Sequence, residues 1–498
     1  MAASNRRHPE GQKMHKVVRF VLLFAALASA LIIISCATNP VTGKREFVLM
    51  TESQEISMGH DADQEIVAQY GLYPDPELQA YVNGIGQEMA ALSHRPHLEW
   101  HFRVLDTPVV NAFAVPGGYI YLTRGILAHL NSEAELAMVV GHEIGHVTAR
   151  HSVKQYTRQI VLMGGLLIGM AASEKFRKYA PLAMVGVQLL FLKFSRDQER
   201  QSDDLGVLYG YSAGYDPNQF DDFFATLNRM KEESGGGIGL PGFLSTHPNT
   251  PNRIKDVQAE CKRVMTEKPA TGQLAVDRDE YLRRIDGLVY GDDPRQGYTE
   301  GSSFHHPNLR FSFDYPSGWE LANLASAVQI KPSSDDAFLS LTISSDARDP
   351  QQAFDNIVSE NDLSVLDANT RSVNGMRAYH GVCSYTDSDD NSLQLRISCI
   401  EKDGNIYNFL GACEPSAYNR YGDAFERTIW SFNNLTDHSK LNRQPMRISI
   451  SRVGQTQTVE KFLLNSGVQS RFLDQALLIN ARKRSDRVGG NMMMKLIK

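Results

Sequence analysis

The sequence predicts a multidomain protein with a mainly α first domain carrying a small edge β-sheet, then an α+β domain, then a small C-terminal module. Three observations carry this. At 498 residues the chain is too long for one compact core. Helical apolar spacing runs from residue 37 to 268 with one β-prone interruption, and strand alternation takes over from Phe304. A last change of texture comes at residue 445. With 42% hydrophobic and 22% charged residues, the composition is that of a globular protein and excludes a disordered or fibrous one. A formal charge of −6 leaves no basic excess to neutralise phosphates, so no nucleic-acid partner is expected.

Residues 1–36 read as a leader. Arg6, Arg7, Lys13, Lys16 and Arg19 precede an apolar run, Phe20 to Ile34, which is short for a membrane span and fits a secretory segment. The run ends in "IISC", and the pattern resembles a bacterial lipoprotein signal in which Cys36 carries the lipid and anchors the chain to a membrane. Ala37 after the cysteine favours the outer membrane, with the body of the protein on the periplasmic side. Cys261, Cys383, Cys399 and Cys413 form no Cys-x-x-Cys pair, and their pairing is left open.

Within 37–268, Thr51 is a plausible N-cap for a helix whose Ile56, Gly59, Asp63 and Ile66 share one face. "HFRVLDT" and "NAFAVPGGYIYLTRGIL" are β-prone around a Pro116-Gly117-Gly118 turn, and a helix follows from Ser132. Segments 160–172 and 181–192 are apolar but too short to span a bilayer; core helices are expected, with membrane-surface contact as the other reading. Residues 269–303, with Pro, Gly, Asp and Arg, read as a linker. From 304 to 435 an α+β domain is expected. "SLQLRISCI" alternates strictly, Asp403-Gly404 marks a hairpin, and helical patterns around Phe354 and Tyr418 to Phe432 place helices on one sheet face.

The chemistry concentrates in "VVGHEIGHVTARHS". His142 and His146, four residues apart on a helix, present both imidazoles to one side, and Glu143 lies next to a possible metal-held water. Gly141 and Gly145 leave room for another chain segment to come close. "SRDQERQSDDLGVLYG" places Glu199 on a second helix, where it completes a His₂Glu set for one zinc ion per chain. Asp203, one turn later, can accept the free N–H of a liganding histidine.

Five motifs in order, "NPVTGKREFVLMTESQEISMG", "NAFAVPGGYIYLTRGIL", "GHEIGHVTARH", "SRDQERQSDDLG" and "STHPNTPNRI", resemble the gluzincin family of the CaaX prenyl proteases and the heat-shock membrane protease, in its periplasmic lipoprotein branch. The resemblance covers residues 39–258. It implies a zincin-type metalloprotease domain with zinc on His142, His146 and Glu199 and with Glu143 as general base. Unfolded or misassembled envelope proteins are the implied substrates. His247 is implied to steady the oxyanion or to reach zinc as a removable fourth ligand, leaving a latent chaperone or scaffold as the alternative function. Asn111, Ala112 and Phe113 are implied to line a substrate bound as an added strand, and Arg253 matches in position only. One departure is plain: the family reads Glu-x-Glu-Ala-Asp where this chain has Gln201 and Ser202 between Glu199 and Asp203. "FSFDYPSGWEL" resembles the photosystem-P-protein fold, which implies no activity. Residues 445–498 resemble a degenerate LysM repeat, read either as a peptidoglycan-binding module or as a packing module that has lost its groove.

Overall fold

The computed structural model describes residues 36–170, 194–233, 243, 246–247, 251–344, 347–386 and 392–498. The leader up to residue 35 and the apolar residues 171–172 and 181–192 lie outside them. Cys36 begins a short strand, Cys36–Thr38, paired with Arg45–Phe47. Among the described residues no helix is long and apolar enough to cross a membrane.

Helix α1 (Glu52–Tyr70) starts where Thr51 and Gln54 cap each other reciprocally. Its buried face holds Gly59, Asp63 and Ile66 as expected, but Glu55 replaces Ile56, which is exposed. The reason is charge pairing: the Glu55 carboxylate accepts from Arg95 at 2.7 Å and from Arg150 at 3.0 Å, both buried. After α2 (Pro76–Ala91) comes a three-stranded sheet of β1 (His101–Leu105), β2 (Ala112–Val115) and β3 (Tyr119–Thr123). Its order is β1-β3-β2, with β1 parallel and β2 antiparallel to β3, so β2 is an edge. The Gly117-Gly118 turn between β2 and β3 has φ of 83° and 101° and lies against the backbone of Ile56 and Glu99, which leaves no room for side chains.

The helices that matter most follow: α3 (Arg124–His129), α4 (Glu133–Thr148), α5 (His151–Met170), α6 (Arg196–Ser212), α7 (Gln219–Glu233) and α8 (Pro251–Glu267). Ser132 caps α4, and every residue of α4 from Ala134 to Thr148 is buried. Ser195 and Gln198 form a capping box on α6. The two helices cross almost in backbone contact. A Cβ on Gly206 would lie 2.9 Å from the His142 nitrogen, and one on Gly141 would lie 2.9 Å from the Gly206 carbonyl oxygen. Gly145 rests on the Ser202 backbone in the same way. Residues 160–170 continue α5, but Ile160 is exposed rather than core.

The stretch expected to be a linker has structure of its own. Helix α9 (Arg278–Arg284) buries Tyr281 and Leu282, and Val289–Tyr290 pairs with Met446–Arg447. Tyr281, Leu282, Ile285 and Leu288 form an apolar stripe within a polar composition, and that stripe docks on the first core. In the second domain, a seven-stranded antiparallel sheet runs β4 (Trp319–Asn323), β5 (Ala327–Pro332), β6 (Ala337–Ser344), β10 (Asn405–Cys413), β9 (Ser392–Lys402), β8 (Met376–Thr386), β7 (Ser364–Val373). Asp403 and Gly404, at φ of 52° and 81°, make the hairpin turn between β9 and β10. The helices cover both faces rather than one. Helix α10 (Pro350–Glu360) sets Phe354 against Gly381, while α11 (Tyr418–Trp430) sets Phe425 against Gly411 on the opposite face. Alternation along one strand could not show this, because Ser398 and Ile400 are buried as well as Ile397 and Cys399. Cys261, Cys383, Cys399 and Cys413 are buried and unpaired with one another.

The tail runs β11 (Met446–Arg452), α12 (Val459–Asn465), α13 (Leu473–Ile479), β12 (Met493–Ile497), with β11 and β12 antiparallel. It does not pack apart from the first domain: Ile448, Phe462, Leu477 and Leu496 join the same apolar cluster as Leu127, Val140 and Tyr281. Lys495 on β12 is fully buried and donates to the carbonyls of Ala128 at 2.9 Å and Leu130 at 2.7 Å.

Replacing Gly206 with Ala gains helix propensity but forces α4 and α6 apart. The expected outcome is a net loss of about 1–3 kcal/mol of stability, read as a lower urea midpoint. An unchanged midpoint would mean that the two helices do not rest on each other at this residue.

Candidate metal centre

Three segments meet at one point. Helix α4 presents His142 and His146 one turn apart, α6 presents Glu199 from its first turn, and the segment containing Phe243 and His247 closes over them. One ligand atom from each of His142, His146, Glu199 and His247 lies within 4.8 Å of all the others. All four residues, and Glu143, are at most 4% exposed. The sequence expectation that Glu199 joins the two histidines is met in space.

The donor atoms fit a metal ion. His142 Nε2 and His146 Nε2 face each other at 3.0 Å, and His142 Nε2 is 3.2 Å from His247 Nδ1. Two nitrogens each ~2.0 Å from a shared tetrahedral ion would be about 3.3 Å apart. The hydrogen bonds on the far side agree. Asp203 Oδ1 lies 2.9 Å from His142 Nδ1, so that nitrogen donates and Nε2 is left with its lone pair turned inward. Glu199 Oε1 is 3.5 Å from His146 Nε2 and 2.9 Å from His247 Nδ1. Beside this cluster both carboxylate oxygens of Glu143 are buried without a hydrogen-bond partner, and Glu143 Oε1 is 3.7 Å from His247 Nε2. Such orphaned acceptors are costly and call for a partner.

Electrostatics sort the carboxylates. Burial pushes the Glu143 carboxyl above its usual range, against the pull of His247 and His142. Burial also works against ionising Glu199 and Asp203, but there the neighbouring cations prevail and both are held below the usual range. For Glu199 these are His247 and Arg253, and for Asp203 chiefly Arg253. Arg253, which the sequence matched in position only, holds Asp203 with two hydrogen bonds of 2.7 Å and stands 3.0 Å from Glu199. Its guanidinium also lies 4.8 Å from the Phe224 ring centroid. Desolvation depresses the pKa of His146 well below normal, with the nearby histidines adding to the effect.

Strand β2 packs directly on α4. Ala112 and Phe113 turn their side chains into the core, Phe113 stacking on Tyr121 with ring centroids 5.0 Å apart. What β2 presents at its free edge is therefore backbone rather than those side chains. Asn111 is half-buried, and its Oδ1 has no hydrogen-bond partner. Phe243 N–H donates to the Val110 carbonyl at 3.0 Å, which ties the His247 segment to the start of the same edge. Phe194 and Phe243 wall the cluster, at ring-centroid distances of 4.1 Å from His146 and 4.6 Å from His247. Neither was singled out from the sequence, where isolated phenylalanines carry no periodic signal. His151 was also missed, though it stands in "VVGHEIGHVTARHS".

Replacing Arg253 with Met leaves the buried Asp203 without its chief counter-charge and Glu199 with His247 alone. The expected cost is about 3–5 kcal/mol, measured by denaturant unfolding. A cost under about 1 kcal/mol, the level of an exposed pair, would show that the arginine does not hold them.

Residues 76–261 match the family model "Peptidase family M48". The chain is 27% identical over 265 residues to the β-barrel assembly-enhancing protease of Yersinia pestis, covering 51% of this chain and 52% of that protein. It is 36% identical over 168 residues to the mitochondrial metalloendopeptidase OMA1 of Arabidopsis thaliana, covering 33% and 32%. The chain thus spans about half or less of the length of these curated relatives. The solution structure of cyanobacterial PsbP from Synechocystis covers 27% of this chain and 94% of its own, at 18% identity and a TM-score of 0.24, which carries no argument. The histidine pair and the glutamate one helix away both fall within residues 76–261, the stretch that matches Peptidase family M48.

Proposed function

We propose that the chain is a zinc metalloendopeptidase of the bacterial cell envelope, hydrolysing peptide bonds in misfolded or stalled envelope proteins. The observation that carries this reading is the convergence of His142, His146 and Glu199 beside a Glu143 carboxylate whose two oxygens have no other partner. The names of the relatives and the lipoprotein-like leader ending at Cys36 support the envelope location.

Zinc bound by His142, His146 and Glu199 would supply Lewis-acid polarisation of a carbonyl and would acidify a water to a pKa of about 7. Glu143 takes a proton from the attacking water at a carboxylate oxygen and hands it to the departing amine nitrogen. Burial raises its proton affinity, which suits both transfers. Asp203, itself held by Arg253, keeps His142 in the tautomer whose Nε2 lone pair points inward. The free edge of β2 offers backbone groups to an extended peptide, the mode in which a substrate adds as a strand. Replacing Glu143 with Gln keeps the shape and removes the base. Cleavage of an unfolded protein such as casein should fall roughly a hundred- to ten-thousand-fold while zinc content stays equal to wild type. Unchanged cleavage would remove Glu143 from the reaction.

One observation favours a second state. His247 Nδ1 is among the four clustered donor atoms, so His247 competes for the position that a substrate or water would need. In this reading the chain rests as a latent scaffold or chaperone until His247 leaves the donor cluster. Replacing His247 with Ala should then raise peptidase turnover several-fold. A fall would assign His247 to oxyanion stabilisation instead, and no change would assign it neither part.

A further inference from the structure

We propose that His151 and Gln201 form a hydrogen-bonded relay that fixes the ring and tautomer of His146, and that His151 is thereby a positioning residue for the metal centre. The proposal rests on the zinc reading of the site. A metal-binding imidazole needs a partner on its other ring nitrogen, usually a carboxylate or carbonyl. His142 has Asp203. His146 has no carboxylate there; its Nδ1 faces His151 Nδ1 at 3.1 Å.

The proton arrangement then has one consistent solution. With its Nε2 lone pair turned toward the other donors, His146 carries its proton on Nδ1 and donates, so His151 Nδ1 accepts. His151 must then carry its own proton on Nε2. That nitrogen lies 3.0 Å from Gln201 Oε1, an amide oxygen able only to accept. Each of the three groups is satisfied, and reversing any one of them would set two donors or two acceptors against each other.

The fold holds this line in place from both ends. His151 is five residues beyond His146, off the face shared by His142 and His146 on a continuous helix. It returns to the site because α4 ends at Thr148 and Arg150 adopts a left-handed φ of 57° before α5 begins. Arg150 is held in that turn by Glu55 at 3.0 Å and by the Met50 carbonyl at 3.1 Å. Gln201 comes from the second turn of α6, and the neighbouring Ser202 brings its Oγ to 3.2 Å from His151 Nδ1. Ser202 also lies against Gly145 where α4 and α6 cross, and His151 is fully buried. Phe194 covers the His146 ring.

The test uses the full chain, zinc affinity by chelator competition, and side-chain nitrogen NMR with labelled histidine. Wild type should show His146 protonated at Nδ1 and His151 at Nε2. Gln201→Leu should weaken zinc affinity about 10-fold and leave His151 in mixed tautomers, and folded His151→Ala should weaken it roughly 10- to 100-fold. Gln201→Glu, which keeps an acceptor, should retain both the Nε2 proton and the affinity. The half-buried Gln201 keeps the test usable if His151→Ala does not fold. Equal zinc affinity and equal tautomers in Gln201→Leu and wild type would overturn the relay, as would a His151 protonated at Nδ1 in wild type. A wild-type chain that binds no zinc would overturn the metal reading instead, and the tautomer signals would still decide the relay.

Discussion

The close crossing of α4 and α6 is the constraint on which the rest of the site depends. Three residues without side chains, Gly141, Gly145 and Gly206, let the two backbones meet at distances where any Cβ would collide. That approach brings His142 and His146 within reach of Glu199 and of Asp203, which holds His142. A separation larger by one methyl group would lengthen the His142–Asp203 bond and the His146–His151–Gln201 line together. Glycine inside a helix costs about 1 kcal/mol relative to alanine, and α4 carries two of them. The cost is offset by apolar burial along the whole of α4 and by the ion pairs that the crossing makes possible.

Those ion pairs obey a strict logic. Glu199, Asp203 and Arg253 are all nearly inaccessible to water, so each needs a buried counter-charge. Arg253 satisfies Asp203 through both ends of its guanidinium fork and reaches Glu199 with the remaining nitrogen. A lysine could not do this, since it lacks the planar fork. Glu143 stands apart: it has no such partner, which leaves it the one carboxylate of the cluster with raised proton affinity and unengaged oxygens. Two acids of the same chemical type are thereby sorted by what surrounds them, one held by buried cations and one left with unengaged oxygens.

How much of this was legible in the sequence follows from what each signal encodes. The spacing of His142 and His146 fixes geometry locally, and the Asp403-Gly404 turn and the Thr51 cap do likewise; such features survive into three dimensions unchanged. The pairing of Glu199 with the histidines was readable because an acidic residue in register on a second helix has few other uses beside a histidine pair. What was not readable depends on partners far along the chain. Glu55 faces inward only because Arg95 and Arg150 arrive there, and from local pattern an apolar neighbour, Ile56, is the better candidate. The helices α10 and α11 cover opposite faces of the sheet, a matter of connectivity that strand alternation cannot express. His151 escaped notice because a left-handed residue at Arg150 redirects the chain, and nothing in arginine's side chain announces a positive φ.

The stretch 269–303 carries more structure than its composition suggests, for a related reason, and the tail packs on the first core; both bear on the site. A polar composition reads as linker, yet Tyr281, Leu282, Ile285 and Leu288 suffice to dock it on the first core. The strand Val289–Tyr290 then pairs with the start of the tail, so the tail is joined to the first domain through a sheet as well as through the core. At the tail's other end, Lys495 reaches the carbonyls of Ala128 and Leu130, at the end of α3 and just before the Ser132 cap of α4. A buried lysine amine in that place donates to acceptors that the short helix leaves open, and its burial pushes its pKa well below the usual lysine range. The helix carrying His142, Glu143 and His146 is therefore fixed where it begins by residues more than 350 positions later, and fixed midway by the glycine crossing. The candidate metal centre is therefore supported from the tail as well as from the helices that carry it.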